Sequence, residues 1–309
     1  MKLIIFGGSG NVGAVLQRHF HKSVEITIVY RSMRNGSILW DGKTLGAWVE
    51  SLDGSDVAIN LAGRSVNCRH TAKNIQELID SRVYSTRIIG EAISRCTQPP
   101  KIWLQASTAT IYSHRFDSPN DEETGIIGGN EMDAPKKSSI GIDIAKAWER
   151  ELNNSITPST RKVAMRISLI MSNDKGSIFD TLCILAKRGI GGRIGNGKQY
   201  VSWIHETDFC NAIDFLIANA EIEGAVNMCA PNPLPNSEFQ RIIRKALGVR
   251  FGLPAPGFLL EIGAIVLRTE SELLLKSRRV IPKRLIDAGF LFSYPKWEAA
   301  IEELVSHRK

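Results

Sequence analysis

The sequence predicts an α/β protein in which a doubly wound parallel sheet is joined to a smaller, mainly helical C-terminal lobe. Three observations carry this expectation. An apolar, β-prone run over 2–6 leads straight into glycines at positions 7, 10 and 13. Strand-length apolar runs then alternate with helix-length amphipathic runs as far as about residue 230, the pattern of parallel strands with right-handed crossovers. From Pro231 onward the chain changes to helical stretches broken by Pro233, Pro235, Pro254, Pro256 and Pro282. The expected division is 1–175 for the sheet domain, completed by 200–230, and 176–309 for the lobe.

The elements follow in order. A helix over 12–21 comes after the glycine turn, and 24–30 reads as a second strand ending at Arg31. A short third strand over 37–40 and a helix over 44–52 come next, then an apolar strand over 56–63 that ends in small residues. A long amphipathic helix over 72–95 presents Ile75, Leu78, Ile79, Val83, Ile88 and Ile89 on one face. Pro99-Pro100 restarts the chain into a buried strand over 101–106. The polar, Gly- and Pro-containing stretch 113–139 reads as a long surface excursion near the site, or as a partly disordered one. A helix over 142–152, a strand over 162–170, a glycine-rich loop over 189–197, a helix over 206–218 and a last strand over 225–229 complete the sheet.

Bulk properties narrow the function. At 309 residues, with 43% hydrophobic and 23% charged, the chain has the composition of a water-soluble globular protein. The net charge of +7 is dispersed and suits a phosphorylated small molecule. No basic–aromatic surface pattern appears, so nucleic acid is not an expected partner. The five cysteines are widely spaced without a C-x-x-C pair, which argues against zinc, any other metal or a disulfide framework, and for a reducing, cytoplasmic setting. The first strand begins at residue 2, leaving no room for a signal peptide. The apolar stretch 258–267 is interrupted by Glu261 and is too short to span a bilayer, so no membrane association is expected.

The opening order of strand, glycine turn and helix has a chemical meaning. Glycines permit the turn, and the helix that follows points free N–H groups and the positive end of its dipole at that turn. Such a site holds a phosphate or diphosphate, although a glycine turn alone can also be only a tight turn. The expected strand ends bring Gly7, Arg31, Gly63 and Ser107 to one edge of the sheet, where ligands of doubly wound folds bind.

Gly7-x-x-Gly10-x-x-Gly13, the strand end Asn60-Leu61-Ala62-Gly63 and the run Ser107-Thr108-Ala109-Thr110-Ile111-Tyr112 together resemble the extended short-chain dehydrogenases/reductases, which have a Rossmann sheet. Later segments narrow the likeness to the epimerase-like branch, the epimerase family proteins. These are Gly195-Asn196-Gly197-Lys198-Gln199, Trp203-Ile204-His205-x-x-Asp208, 227–231, Arg279-Val280-Ile281-Pro282-Lys283-Arg284-Leu285 and Ala288-Gly289-Phe290-x-Phe292. The similarity runs nearly end to end. It implies NADP(H) at the glycine turn, held by Gly7, Ser9, Gly10, Asn11 and Val12, with Leu61, Ala62, Gly63 and Ser107 along the cofactor. Arg31 supports NADP independently, since an arginine after the second strand suits the 2′-phosphate.

In that superfamily a Ser or Thr polarises the substrate oxygen and a Tyr-x-x-x-Lys pair exchanges the proton. Thr108 stands at the polarising position, unless it is only a β-prone strand residue. None of the five tyrosines is followed four residues later by lysine, and alignment on Trp148-Glu149 puts Gly141 and Ala145 in the two slots. Lys146 is one position off and would face about 100° away. Tyr112 is either a substitute acid or an aromatic lining of the pocket. Lys198 and Gln199 either meet an anionic substrate or order the glycine-rich loop, and His205 either binds substrate or supports the lobe. Arg166 reads as an ion-pair partner or else a substrate clamp, and Arg278 and Arg279 as surface or lobe-packing residues or else contacts across the cleft. Two readings follow: an NADP(H)-dependent oxidoreductase or epimerase-type enzyme for a small carbonyl or sugar-like substrate, and an NADP(H)-binding sensor or scaffold. Extended relatives often pair through helices, which makes a homodimer an expectation.

Overall fold

A computed structural model describes residues 1–22, 24–31, 38–135, 137–255 and 272–308. Its centre is a seven-stranded sheet built from β1 (Lys2–Phe6), β2 (Glu25–Tyr30), β3 (Ile38–Leu39), β4 (Val57–Asn60), β5 (Ile102–Thr108), β6 (Arg161–Ile167) and, after several intervening elements, β10 (Gly224–Met228). The spatial order is β10-β6-β5-β4-β1-β2-β3, with every pair parallel. Parallel strands covered on both faces must be apolar at nearly every position, and β1 is. Leu3 and Ile5 enter one core with Val15, Leu16 and Phe20, while Ile4 and Phe6 enter the other with Trp40, Trp48 and Trp103. Between β1 and β4 the strand order reverses, which opens a crevice at their carboxyl ends.

Among the described residues the α-helices are α1 (Asn11–Phe20), α2 (Trp48–Leu52), α3 (Ala72–Arg95), α4 (Ser138–Asn154), α5 (Ile178–Lys187), α6 (Glu206–Ala218), α7 (Asn236–Ala246), α8 (Glu272–Leu275), α9 (Lys283–Asp287) and α10 (Trp297–Ser306). Two small strand pairs accompany them. β7 (Leu169–Met171) runs parallel to β9 (Trp203–His205), and β8 (Tyr200–Val201) is antiparallel to β11 (Leu234–Pro235). A third apolar core joins α5, α7 and α10 around Phe179, Phe239 and Trp297. Leu285 and Phe290, from the expected lobe, pack instead into the sheet's own core.

Some expected elements change. The helix expected over 44–52 starts only at Trp48, because the Asp41 carboxylate captures the Lys43 and Thr44 amides in a turn. The strand expected over 162–170 divides at Ser168, whose hydroxyl donates to the Met228 carbonyl. The buried stripe of α3 runs through Leu78, Arg82, Ser85, Thr86 and Ile89, leaving Ile75, Ile79 and Val83 half-buried. Helix α5, capped by Ser177, was not expected from the sequence. The stretch 258–267 and Pro256 lie outside the described residues. No described helix is long and apolar enough to cross a membrane.

Candidate functional site

The glycine turn after β1 is fixed by contacts that leave no room for side chains. Gly7 has φ +78°, and a Cβ there would lie 2.7 Å from the Ala62 Cα. At Gly13 a Cβ would stand 2.4 Å from the Gly8 carbonyl oxygen, so this glycine lets α1 close on the turn. From α1 the Gln17 side-chain amide donates to the carbonyls of Gly8, at 2.8 Å, and Gly13, at 3.1 Å. Gly10 is different: a Cβ would meet nothing within 4 Å. It caps α1 without offering a side-chain acceptor, and the first turn of α1 carries no acidic residue. The positive end of the helix is thus left clear of side chains at Gly10.

That space is part of a cleft of about 330 Å³. Gly7, Gly10, Asn11 and Val12 form one wall, Leu61 and Val66 another, and Ser107, Thr108 and Thr110 the far end. Four of its lining residues come from the helices packed beside it: Arg82 on α3 and Gly141, Ile144 and Trp148 on α4. Ser9 is exposed on the turn, and Arg31 is exposed at the end of β2. Ala62 and Gly63, both half-buried, follow Leu61 but do not line the cleft. The Ala62 amide donates to Asn60 Oδ1 at 2.9 Å, and the smallness of Ala62 admits Gly7. Thr108 is half-buried, its Oγ1 accepting from the Thr110 amide at 3.2 Å.

Behind Thr108 lies a buried polar chain. Ser107 Oγ donates to Glu149 Oε1 at 2.6 Å, and Arg166 grips the same carboxylate twice, at 2.9 and 2.8 Å. The third arm of Arg166 donates to the Tyr112 hydroxyl at 2.8 Å, which donates on to Asn227 Oδ1 at 3.0 Å. The ion-pair reading of Arg166 is therefore the one realised. Tyr112 is not a substitute acid: it is 1% exposed, faces this network instead of the cleft, and burial pushes its phenol up to about 12 despite the adjacent guanidinium. The excursion 113–139 folds over it, with Tyr112 bridged to Ile127 and the Asn227 amide donating to Glu122.

Other expected ligands are occupied elsewhere. His205 is 1% exposed. Its Nδ1 accepts from the Thr207 amide at the start of α6, and its Nε2 meets Glu303 Oε2 at 2.9 Å. It ties α10 to the sheet domain and does not reach the cleft. The Gln199 amide donates to the Ile194 and Leu274 carbonyls, holding the glycine-rich loop, and Lys198 is exposed away from the cleft lining. Lys146 donates to the Gly128 carbonyl. Arg279 lies over the Tyr200 ring, whereas Arg278 and Lys276 donate to Thr110 Oγ1 and its carbonyl, so the C-terminal region does touch the cleft's end.

Arg82 is the residue that sequence reasoning missed. It is 8% exposed, its guanidinium lies 4.9 Å from the Trp148 ring centre, and burial lowers it to about 10, leaving it charged at neutral pH. Its signal was present: a charge at i+4 from Leu78, on the buried stripe of a helix, needs an explanation.

A model of the NAD dependent epimerase/dehydratase family matches residues 3–132, and one for a domain of unknown function (DUF1731) matches 255–304. Over its whole length the chain is 31% identical to the epimerase family protein YfhF of Bacillus subtilis, covering 99% of that protein. The chain belongs to this epimerase family. Within the family, human SDR39U1 is 29% identical, with 99% of this chain and all of the human protein covered. The crystal structure of human SDR39U1 (isoform2) with NADPH has a TM-score of 0.87 to this fold at 27% identity, covering 99% of this chain and 100% of that one. A nucleoside-diphosphate sugar epimerase from Corynebacterium glutamicum gives 0.77 at 26% identity, with 58% of its chain covered. Epimerase family membership accounts for the sheet, the glycine turn and the C-terminal region together.

Proposed function

We propose that this epimerase family protein binds NADP(H) in the cleft and acts as an oxidoreductase or epimerase-type enzyme on a small carbonyl or sugar-like substrate. The observation that carries the reading is the open space at Gly10, which caps α1 without a side-chain acceptor, a cradle that fits a diphosphate. The NADPH in the human relative's crystal structure supports the choice of cofactor. In this reading the first amides of α1 hold the diphosphate, Leu61 and Ser107 line its path, and Arg31 takes the 2′-phosphate from its exposed position at the end of β2. When bound, the nicotinamide supplies or accepts a hydride. Thr108 donates its hydroxyl proton in a hydrogen bond to the substrate oxygen, and Trp148 and Ile144 exclude water.

A second reading, an NADP(H)-binding sensor, draws on the glycine and alanine at 141 and 145, which cannot move a proton. The deciding experiment measures NADPH and NADH affinity, then screens aldehydes, ketones and nucleotide sugars for turnover. Arg31→Ala is expected to weaken NADPH about 10- to 100-fold and NADH little, the loss of one charge-assisted contact. Thr108→Ala is expected to abolish turnover without loss of NADPH affinity. Tight NADPH binding with no turnover on any substrate supports the sensor, and equal effects of Arg31→Ala on both nucleotides refute the 2′-phosphate role.

A further inference from the structure

The cleft contains a charge for which the described residues supply no carboxylate counter-ion. Of the five N–H donors of Arg82, one is used, by the Leu78 carbonyl at 2.9 Å. No carboxylate among the described residues pairs with it. One position beyond its stacking partner Trp148, Glu149 is fully engaged by Arg166 and Ser107. The two arginines thus contrast. Arg166 is neutralised where it is buried behind the cleft, while Arg82 is left bare where it lines the cleft. An unpaired cation removed from water is strongly disfavoured unless an anion joins it.

Its position indicates which anion. Arg82 backs onto Gly63, where a Cβ would lie 3.2 Å from the guanidinium carbon, and so sits at the end of β4. In the sheet β4 lies on the side of β1 away from β2, toward Thr108 at the end of β5. The diphosphate already has a cradle of its own at the start of α1. A planar guanidinium with adjacent free donors fits the two oxygens of a carboxylate.

We propose that Arg82 is the anion-binding residue of a substrate subsite, taking the carboxylate of a small molecule whose reacting carbonyl faces Thr108, as in a 2-oxo acid. This rests on the reading of the cleft as an NADP(H) site. The same chemistry would let the guanidinium bind the cofactor's diphosphate, and the test separates the two.

Oxalate serves as the probe, titrated calorimetrically into the full-length protein with and without saturating NADPH, with neutral oxamide as the control. Oxalate is expected to bind the wild type and raise its melting temperature, whereas oxamide does neither. Arg82→Gln is expected to weaken oxalate at least tenfold while changing the NADPH Kd less than twofold, and Arg82→Lys to retain part of the oxalate affinity. Absence of oxalate binding to the wild type, or binding that Arg82→Gln leaves unchanged, overturns the proposal. So does competition between oxalate and NADPH with an equal loss of both in Arg82→Gln, which assigns the guanidinium to the diphosphate. Should the glutamine variant not fold, the oxalate–oxamide comparison on the wild type decides whether an anion subsite exists, and Arg82→Lys whether it needs the guanidinium. A wild type that fails to bind NADPH strikes the parent reading alone, because the nucleotide-free titration judges the subsite by itself.

Discussion

Replacing Glu149 with alanine strands the Arg166 guanidinium behind the cleft. The pair is bidentate, at 2.9 and 2.8 Å, with side-chain exposures of 10% and 12%, so water cannot rehydrate the charge that remains. Breaking a buried pair from one side costs roughly 3–5 kcal/mol, far above the worth of a surface pair. Removing both charges differs in kind, since an apolar pair of similar volume is often neutral. In Glu149→Leu/Arg166→Met the Tyr112 hydroxyl loses the donor from Arg166, and Ser107 loses its acceptor, each worth about 1 kcal/mol. The double variant is therefore expected about 2 kcal/mol below the wild type, and above the Glu149→Ala single variant. Urea unfolding at pH 7, followed by tryptophan fluorescence with the slope checked for constancy, measures the cycle. Glu149→Ala within about 1 kcal/mol of the wild type, or a double variant that falls by the sum of the Glu149→Leu and Arg166→Met single variants, refutes the assignment of a coupled buried network.

Three further outcomes are expected. Gly10→Ala keeps the wild-type melting temperature but lowers NADPH affinity, because its methyl group meets no protein atom and enters the ligand's space; Gly13→Ala lowers both, since its methyl would overlap the Gly8 carbonyl. Tyr112→Phe leaves one arm of Arg166 and the side-chain oxygen of Asn227 without their tyrosine partner and costs roughly 1–3 kcal/mol in denaturant unfolding, while NADPH affinity is kept. The phenol, held near 12 in the fold against about 10 when unfolded, keeps its proton longer in the folded state. Stability present below pH 10 is thus lost as pH rises from 10 towards 12, and a pH series of melting curves should show less of that loss in Tyr112→Phe.

The strand–turn–helix opening, the span of α3 and the span of α6 were legible in the sequence because their signals are local. Apolar periodicity and the glycine spacing both act within a few residues. The sites that required the tertiary structure are polar side chains whose partners arrive from far along the chain. Tyr112 meets Asn227 across 115 residues, His205 meets Glu303 across 98, and Gln199 meets Leu274 across 75. Each side chain carried a chemistry that the sequence displayed and a use that it did not. Whether a phenol, imidazole or amide is free to touch a ligand depends on which distant group folding brings against it. By itself the sequence determined the alternation of strands and helices, the glycine turn after the first strand and the missing Tyr-x-x-x-Lys pair. Only the fold decided that Tyr112 and His205 are held in the scaffold and that Arg82 lines the cleft with no carboxylate paired to it among the described residues, because hydrogen-bond satisfaction is settled by long-range packing and not by neighbours in sequence.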